Sequence, residues 1–220
     1  MSDARQLTAP PGPGEVVREL AVDSIRPNPY QPRRTFDQEG LAELARSIEA
    51  AGVFQPIMVR RPDPNLNRYE LITGERRLRA TKMTERKTIP AIVRVLDDQT
   101  MMEVAVLENL QREDLSPLEE AQAYQTLIER LNLTQAQVAA RLGKSRPYIA
   151  NYLRLLGLPE EVKQMLASGE LSMGQARTLL GVKDERRLVE LAKRVANEGL
   201  TVRQLEEIVA GINKKGRQKP

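Results

Sequence analysis

Residues 134–156 read Thr134-Gln-Ala-Gln-Val-Ala-Ala-Arg-Leu-Gly-Lys-Ser-Arg-Pro-Tyr-Ile-Ala-Asn-Tyr-Leu-Arg-Leu-Leu156, which is the pattern of a helix-turn-helix. Thr134 and Gln137 have the spacing of a capping box, so a first helix starts there. Gly143 supplies the unusual backbone conformation of a tight turn, and Ser145 caps a second helix with Pro147 in its first turn. The alternative is an ordinary helical hairpin. The small residue Ala139, the turn glycine Gly143 and the cap Ser145 favour a DNA-binding motif, because all three have the spacing that such a motif requires.

The two predicted helices have distinct inner and outer faces. The expected inner residues are Val138, Ala139 and Leu142 in the first helix, and Ile149, Leu153 and Leu156 in the second. The outward residues near the start of the second helix are those that a recognition helix presents to a DNA major groove. They are Ser145, Arg146, Tyr148 and Asn151. Arg146 can pair with guanine or phosphate, and Asn151 with adenine.

Composition narrows the chemistry that the chain can perform. Of 220 residues, 40% are hydrophobic and 29% charged, which is typical of a soluble globular protein. Without histidine or cysteine the chain has no disulfides, no imidazole or thiolate metal sites and no Ser-His or Cys-His nucleophile. Aromatic residues make up only 3%, which disfavours base stacking on single strands. A pI of 9.4 permits nucleic-acid binding, and the absence of a membrane span or disulfides favours a cytoplasmic protein.

The hydrophobic periodicity predicts an α+β protein with a small α/β domain followed by an all-α domain. The expected strands are 16–25, 56–60, 68–73 and 89–95, with helices at 38–51 and 75–82 between them. Helices are expected from there at 98–110, 117–131, 135–142, 146–156, 160–168, 173–179, 185–197 and 202–210. The predicted organisation is a flexible tail at 1–15, an N-terminal domain at 16–97, a central helical domain at 98–212 and a basic linker at 213–220.

Two short boxes carry arginines beside other polar groups. Gly74-Glu-Arg-Arg-Leu-Arg-Ala80 follows a strand and opens a helix, whose N-terminus attracts phosphate. With Arg76, Arg77 and Arg79 it is either a polyanion site or a solvated basic helix face. Glu108-Asn-Leu-Gln-Arg-Glu-Asp114 ends the next long helix, and its Glu108 and Arg112 share one helix face. It is either a surface ion pair or a site where Glu108 and Asn109 offer oxygens to Mg²⁺ and Arg112 meets a phosphate.

The chain resembles the ParB family of chromosome-partitioning proteins, most of all the chromosomal ParB of Gram-positive bacteria. The resemblance rests on four motifs and their order, namely the proline-rich loop Asn28-Pro-Tyr-Gln-Pro-Arg33, the two arginine boxes and the helix-turn-helix. The resemblance covers about 16–212 and includes Asp114-Leu-Ser-Pro-Leu-Glu-Glu-Ala121 and Leu171-Ser-Met-Gly-Gln-Ala-Arg177. It implies an N-terminal domain of the ParB/sulfiredoxin-like fold that binds CTP with Mg²⁺ and hydrolyses CTP slowly. It also implies recognition of a palindrome, parS, and a DNA-sliding clamp that a dimer closes when CTP binds.

The resemblance also implies roles for individual residues. The expected nucleotide-binding residues are Gln31, Arg33, Gly74, Glu75, Arg76, Arg77, Asn109 and Arg112. Glu108 and Asn109 are expected to hold Mg²⁺, while Gln31, Glu75 and Asn109 are the candidates for orienting water. None of these three is an obvious general base, so we expect slow turnover that times a conformational cycle. Gln175 and Arg177 are expected to help hold parS.

Two departures from the family pattern bear on partners. The tail at 1–15 lacks the basic, Leu-Gly-containing peptide that engages the ParA ATPase, although ParA and SMC condensin are partners that the resemblance implies. The chain stops at Pro220, so we expect a truncated form that lacks the C-terminal dimerisation domain. Three alternatives remain, namely a repressor without nucleotide gating, a nucleoid-occlusion paralogue that reads another palindrome, and a small-molecule kinase on the same N-terminal fold.

Overall fold

A mixed five-stranded sheet organises the first part of the chain in this computed structural model, which describes residues 15–30, 37–110 and 115–217. The strand order is β1-β5-β3-β4-β2. The strands are β1 (Val17–Ala21), β2 (Ile25–Arg26), β3 (Ile57–Arg60), β4 (Tyr69–Thr73) and β5 (Thr88–Arg94). Strand β3 runs parallel to β5 and antiparallel to β4. The predicted tail at 1–15 lies outside the described residues except for Glu15.

The predicted strand at 16–25 is two strands on opposite edges of the sheet. Strand β1 pairs with β5 and β2 pairs with β4, and a 3-10 turn at Val22–Ser24 separates them. Ser24 Oγ donates to the Ala21 carbonyl at 2.6 Å, and the Val22 amide donates to the Lys87 carbonyl at 3.0 Å. The turn keeps Val22 buried. The alternation of apolar residues therefore continues through the turn, and the sequence pattern does not indicate that the strand is interrupted.

Helices α1 (Gln38–Ala51) and α2 (Glu75–Lys82) match their predicted bounds and pack together on the sheet. Asp37 caps α1 by accepting hydrogen bonds from the Glu39 and Gly40 amides. Ala45 and Ile48 of α1 meet Ala80 of α2. The core of this unit also holds Ile57, Leu71, Leu78 and Ile89. Burial of each such aliphatic side chain contributes about 1.5–3 kcal/mol.

The structure corrects the predicted boundary between residues 97 and 98. The chain divides into two compact units, 1–112 and 113–220, so helix α3 (Asp98–Leu110) belongs to the first. The apolar face of α3 explains this, because Met101 and Val104 pack against Met58 and Ile72 of the sheet. The pattern of a helix gives no indication of which neighbour its apolar face will contact.

The start of α3 is tied to the sheet by the buried guanidinium of Arg60. Its Nη2 donates to Glu70 Oε2 at 2.7 Å and to Asp98, and its Nη1 donates to the Leu96 carbonyl at 3.3 Å. Desolvation by burial opposes the charge, but the hydrogen bonds that Arg60 donates to Glu70 and Asp98 outweigh this effect and raise the pKa of Arg60. A buried charge is tolerated only when it is paired in this way.

The second unit is all helical. Its helices are α4 (Pro117–Leu131), α5 (Gln135–Leu142), α6 (Arg146–Leu155), α7 (Glu160–Ala167), α8 (Met173–Leu179), α9 (Glu185–Glu198) and α10 (Val202–Arg217). The predicted basic linker at 213–220 is wrong in its first part, because α10 continues to Arg217. Val209 is buried, and Asn213 Nδ2 donates to the Gly181 carbonyl at 3.1 Å, so tertiary contacts extend the helix past Gly211. Within the described residues, no helix has the length and apolarity needed to cross a membrane.

Candidate functional site

The N-terminus of α2 presents backbone amides that no side chain caps. Gly74 lies at the N-cap with φ 107°, a conformation that favours glycine, and gives no side-chain cap to the helix. A Cβ at this position would lie 2.7 Å from Ile57 Cγ2, so the close approach of β3 also requires glycine. The first amides of a helix have no partners within the helix, and they carry its partial positive charge. At the predicted phosphate-binding position, backbone amides are therefore available to donate hydrogen bonds to a phosphate.

Glu75 is a buried carboxylate directly after this glycine. Its side chain is 8% exposed, and its Oε1 accepts a hydrogen bond from Arg79 Nε at 2.6 Å. Its Oε2 is buried and has no hydrogen-bond partner among the described residues. A buried acceptor without a partner costs about 1–3 kcal/mol, so this oxygen is suited to a donor from water or a ligand.

Arg77 is half-buried and has no carboxylate partner within the described residues. Its Nη1 donates to the carbonyls of Gln55 and Pro56 at 2.6 and 2.7 Å. Desolvation by burial lowers the pKa of Arg77, and no acidic group offsets the effect. A guanidinium has five N–H donors, so the two carbonyls orient the group and leave donors for an anion.

The other two arginines of the box have different neighbours. Arg76 is exposed and its Nη2 lies 3.4 Å from the Gly40 carbonyl at the start of α1. Arg79 forms the ion pair with Glu75. The structure therefore divides the predicted polyanion site. Arg76 and Arg77 form no ion pair with a described acid, whereas Arg79 already has a carboxylate, and of the two unpaired arginines only Arg77 is half-buried.

The structure describes the proline-rich loop at 28–33 only as far as Tyr30, and Arg112 lies outside the described residues. The predicted ligands Gln31, Arg33 and Arg112 lie outside the described residues. The residue that anchors the start of the loop is Asn28, which sequence reasoning did not assign a role. It is 5% exposed, its Oδ1 accepts from the Tyr30 amide at 2.9 Å, and its Nδ2 lies 3.5 Å from the Ile72 carbonyl. An asparagine that bonds the backbone two residues later forms an Asx turn, and Asn before Pro was the available signal.

Glu108 and Asn109 lie in the last turn of α3, Glu108 exposed and Asn109 half-buried. Carboxylate and amide oxygens suit Mg²⁺, and a helix C-terminus favours a cation. The described residues contain no group of three acidic side chains that could hold a metal ion. The pair fits the usual mode of Mg²⁺ binding, in which one or two protein ligands are joined by phosphate oxygens and water.

The helix-turn-helix of the second unit has the predicted caps. Thr134 and Gln137 form the capping box, Gly143 ends α5 with φ 66°, and Ser145 Oγ accepts from the Tyr148 amide at 3.2 Å. Ser145 and Arg146 are exposed, whereas Tyr148 is half-buried. The predicted contact residue Asn151 is also half-buried.

The inner face of α6 differs from the prediction. Ile149 is buried as expected, but Tyr152 and Leu155 are buried in place of Leu153 and Leu156, which are half-buried. The spacing of three follows the face that packs on α4. The predicted stripe contained only aliphatic residues, whereas a tyrosine ring also packs well in a core when its hydroxyl has a partner.

Three tyrosines connect α4 with α6. The Tyr124 and Tyr152 rings meet edge to face at 5.7 Å, and the Tyr148 and Tyr152 rings lie 4.7 Å apart. Tyr148 Oη donates to Tyr152 Oη at 3.0 Å, and Tyr124 Oη donates to Glu120 at 2.6 Å. Desolvation by burial, followed by these hydrogen bonds, raises the pKa of both Tyr124 and Tyr152, so both hydroxyls stay protonated at neutral pH. The cluster fixes the position of Tyr148 on the recognition helix.

The two predicted contacts beyond the helix-turn-helix have different surroundings. Gln175 Oε1 accepts hydrogen bonds from Ser172, completing the capping box of α8, and its Nε2 donates to the Leu200 carbonyl at 2.7 Å. Arg177 is exposed on the same helix. Lys144, which had no predicted role, holds its Nζ 5.1 Å from the centre of the Tyr148 ring and adds a cation beside Arg146.

Comparison with known proteins places both units in one family. Residues 8–110 match the ParB N-terminal domain, and residues 113–214 match the ParB HTH domain. Stage 0 sporulation protein J of Bacillus subtilis is 55% identical over 199 residues, a match that covers 90% of this chain and 70% of that protein. The chain spans 66–70% of the length of three such relatives.

Two solved structures of a relative add ligands to the comparison. The C-terminally truncated chromosome-partitioning protein ParB of Caulobacter crescentus, complexed to the centromeric parS site, is 43% identical and has a TM-score of 0.70. That match covers 88% of this chain and 99% of the other. The same truncated protein complexed with CTP-γ-S is 45% identical over 82% of this chain and 98% of its own, with a TM-score of 0.40. The second structure is therefore related to this chain by its sequence alone.

Proposed function

The chain belongs to the ParB family of chromosome-partitioning proteins, and from that premise we propose that it is a CTP-gated clamp on DNA. The second unit binds a parS palindrome, and the first unit binds CTP and hydrolyses it slowly. CTP favours self-association of the protein around DNA, and hydrolysis reopens the clamp. Such a protein works at the nucleoid in the cytoplasm, where ParA and SMC condensin are its expected partners.

The environment of Arg77 is the observation that carries the nucleotide half of the proposal. A half-buried guanidinium without a carboxylate partner in the described chain lies in the first turn of a helix that begins at a left-handed glycine. Backbone amides and a guanidinium together form a strong phosphate site. The preference for cytosine rests on the family and on the relative crystallised with CTP-γ-S, since no described side chain accounts for it.

The first unit also offers groups for hydrolysis. Glu75 Oε2 accepts a hydrogen bond from the attacking water, and Gln31 and Asn109 help to orient that water. The water oxygen bonds to the γ-phosphorus as the bond to the β,γ-bridging oxygen breaks, which releases CDP and phosphate and gives a proton to solvent. Glu108 and Asn109 would hold Mg²⁺, which neutralises phosphate charge when bound. Turnover is slow because the chain has no histidine or cysteine to act as a tuned base.

The second unit supplies sequence recognition. The recognition helix α6 reads bases or holds phosphates with side chains from its N-cap to its sixth residue. These side chains are Ser145, Arg146, Tyr148 and Asn151. The Tyr124–Tyr152–Tyr148 cluster supports this proposal, because it fixes the helix before DNA arrives. Arg177 adds a phosphate contact from α8.

Calorimetry with CTP, ATP, GTP and UTP, with and without a parS duplex, tests the proposal. We expect binding of CTP in clear preference to the other three. Arg77→Ala removes a charged hydrogen bond worth about 1.5–3 kcal/mol, so CTP affinity should fall by roughly 10–100-fold while parS affinity without nucleotide is unchanged.

The matched control is Arg46→Ala, which removes an exposed arginine on α1. This variant should bind CTP like the wild type. Wild-type CTP affinity in Arg77→Ala would refute the phosphate assignment. Tight binding of ATP but not CTP would refute the proposed substrate, and parS binding without any nucleotide binding would favour a plain repressor.

A further inference from the structure

Glu75 and Arg79 form a pair whose geometry is unusual for a surface helix. The glutamate is 8% exposed, although it is the first residue of α2, and the arginine one turn later is 44% exposed. Glutamate four residues before arginine is the favoured order for a helical ion pair. The carboxylate is therefore the buried partner, and the exposed arginine reaches inward to it.

Only one oxygen of the carboxylate takes part in this pair. Arg79 Nε donates to Oε1 at 2.6 Å, while Oε2 is buried without a hydrogen-bond partner among the described residues. A short charged hydrogen bond to Oε1 restrains the rotation of the carboxylate. Oε2 is thereby held within a narrow range of directions, from which it can accept a hydrogen bond.

A buried carboxylate that lost this cation would rotate toward water. Oε2 would then no longer be a fixed acceptor beside Gly74. The arginine therefore determines whether the glutamate can orient a water molecule.

We propose that Arg79 is a positioning residue for CTP hydrolysis, which holds Glu75 Oε1 so that Glu75 Oε2 accepts a hydrogen bond from the attacking water. This inference rests on the proposed function. It separates Arg79 from Arg77, because Arg77 binds phosphate and Arg79 acts through Glu75. The bonds that form and break are those of the hydrolysis step above, and Arg79 exchanges no proton in it.

The test is steady-state phosphate release from CTP with Mg²⁺ and a parS duplex. Arg79→Met should lower kcat by about tenfold or more and leave KM within about threefold, because it removes an interaction used only in the transition state. Arg79→Lys restores a cation and should recover most of the lost kcat. The control Lys82→Met removes an exposed cation of the same helix and should turn over CTP like the wild type.

A second pair of variants separates positioning from folding. Glu75→Gln and the double variant Glu75→Gln with Arg79→Met contain no buried unpaired charge, and both should have the same low kcat, because groups that act as a unit are not additive. A further fall of tenfold in the double variant would overturn the inference. So would a raised KM with unchanged kcat in Arg79→Met, which would make Arg79 a phosphate ligand. If the wild type itself released no phosphate, the proposed function would fail, whereas normal turnover in Arg79→Met would refute only the role of Arg79.

Discussion

Arg77 and Arg79 lie two positions apart in one basic box, yet their side chains have opposite electrostatic surroundings. Arg77 meets two backbone carbonyls and no described carboxylate, and Arg79 meets the buried carboxylate of Glu75. Helical geometry separates them, since residues two apart do not share a face. A count of arginines predicts a polyanion site but cannot say which arginine is neutralised.

Gly74 allows a prediction about stability at the same scale. Gly74→Ala combines a left-handed φ of 107° with a Cβ 2.7 Å from Ile57 Cγ2. Backbone strain and overpacking each cost about 1–3 kcal/mol, so we expect a loss of about 2–6 kcal/mol in the free energy of unfolding of the first unit, measured by urea denaturation.

Gly199→Ala is the control for the backbone strain in Gly74→Ala. Gly199 lies at the end of α9 with φ 63° and ψ 36°, the same left-handed region as Gly74, and no atom lies within 4 Å of an added Cβ. This variant should show the backbone strain alone, about 1–3 kcal/mol in the free energy of unfolding of the second unit. Equal losses in the two variants would mean that the contact with Ile57 relaxes at no cost.

At the scale of helices and strands, the sequence predicted those features that depend on local chemistry. The starts of α5 and α6 were predicted because each has its capping residue, Thr134 or Ser145, directly before it in the sequence. The break in the first strand and the extension of α10 were missed because distant groups cause them, namely the carbonyls of Lys87 and Gly181. The assignment of α3 to the first unit was also missed, because it depends on contacts of α3 with the sheet.

The candidate site shows the same division between local and distant causes. The start of α2 directly after Gly74 could be predicted, since a glycine followed by a helix is a local pattern. The burial of Glu75, the anchoring of the loop by Asn28 and the neighbours of Arg77 could not, because each depends on contacts with other elements. The roles assigned to the site residues all stay predictions, and Gln31, Arg33 and Arg112 also lie outside the described residues.

Helix α8 supports a prediction that separates capping from DNA contact. The Gln175 side chain is held by Ser172 and the Leu200 carbonyl, whereas Arg177 is exposed. Gln175→Ala should therefore lower the free energy of unfolding by about 1 kcal/mol and leave parS affinity within about twofold. Arg177→Ala should lower parS affinity, with a weaker salt dependence, and leave stability unchanged.

Thermal unfolding and fluorescence anisotropy at two salt concentrations would distinguish these outcomes. A large loss of parS affinity in Gln175→Ala without loss of stability would show that this side chain leaves its cap to contact DNA. Arg203→Ala, at an exposed position of α10, is the control for a general effect of removing positive charge.

At the scale of the whole molecule, the residues proposed to bind nucleotide and those proposed to bind DNA lie in different units, each with its own core. Glu108 and Asn109 end α3, and only residues 111–116 separate that helix from α4. Coupling between two ligands is reciprocal, so if CTP changes the affinity for parS, parS must change the affinity for CTP by the same factor. A protein that only binds DNA would show no such coupling.

The rate of phosphate release from CTP, measured with a parS duplex and with a scrambled duplex of equal length, tests the gated clamp most directly. We expect slow release that the parS duplex stimulates by about tenfold or more, with no comparable release from ATP. Equal rates with the two duplexes, or no release at all, would contradict the proposal that the two units work as one cycle.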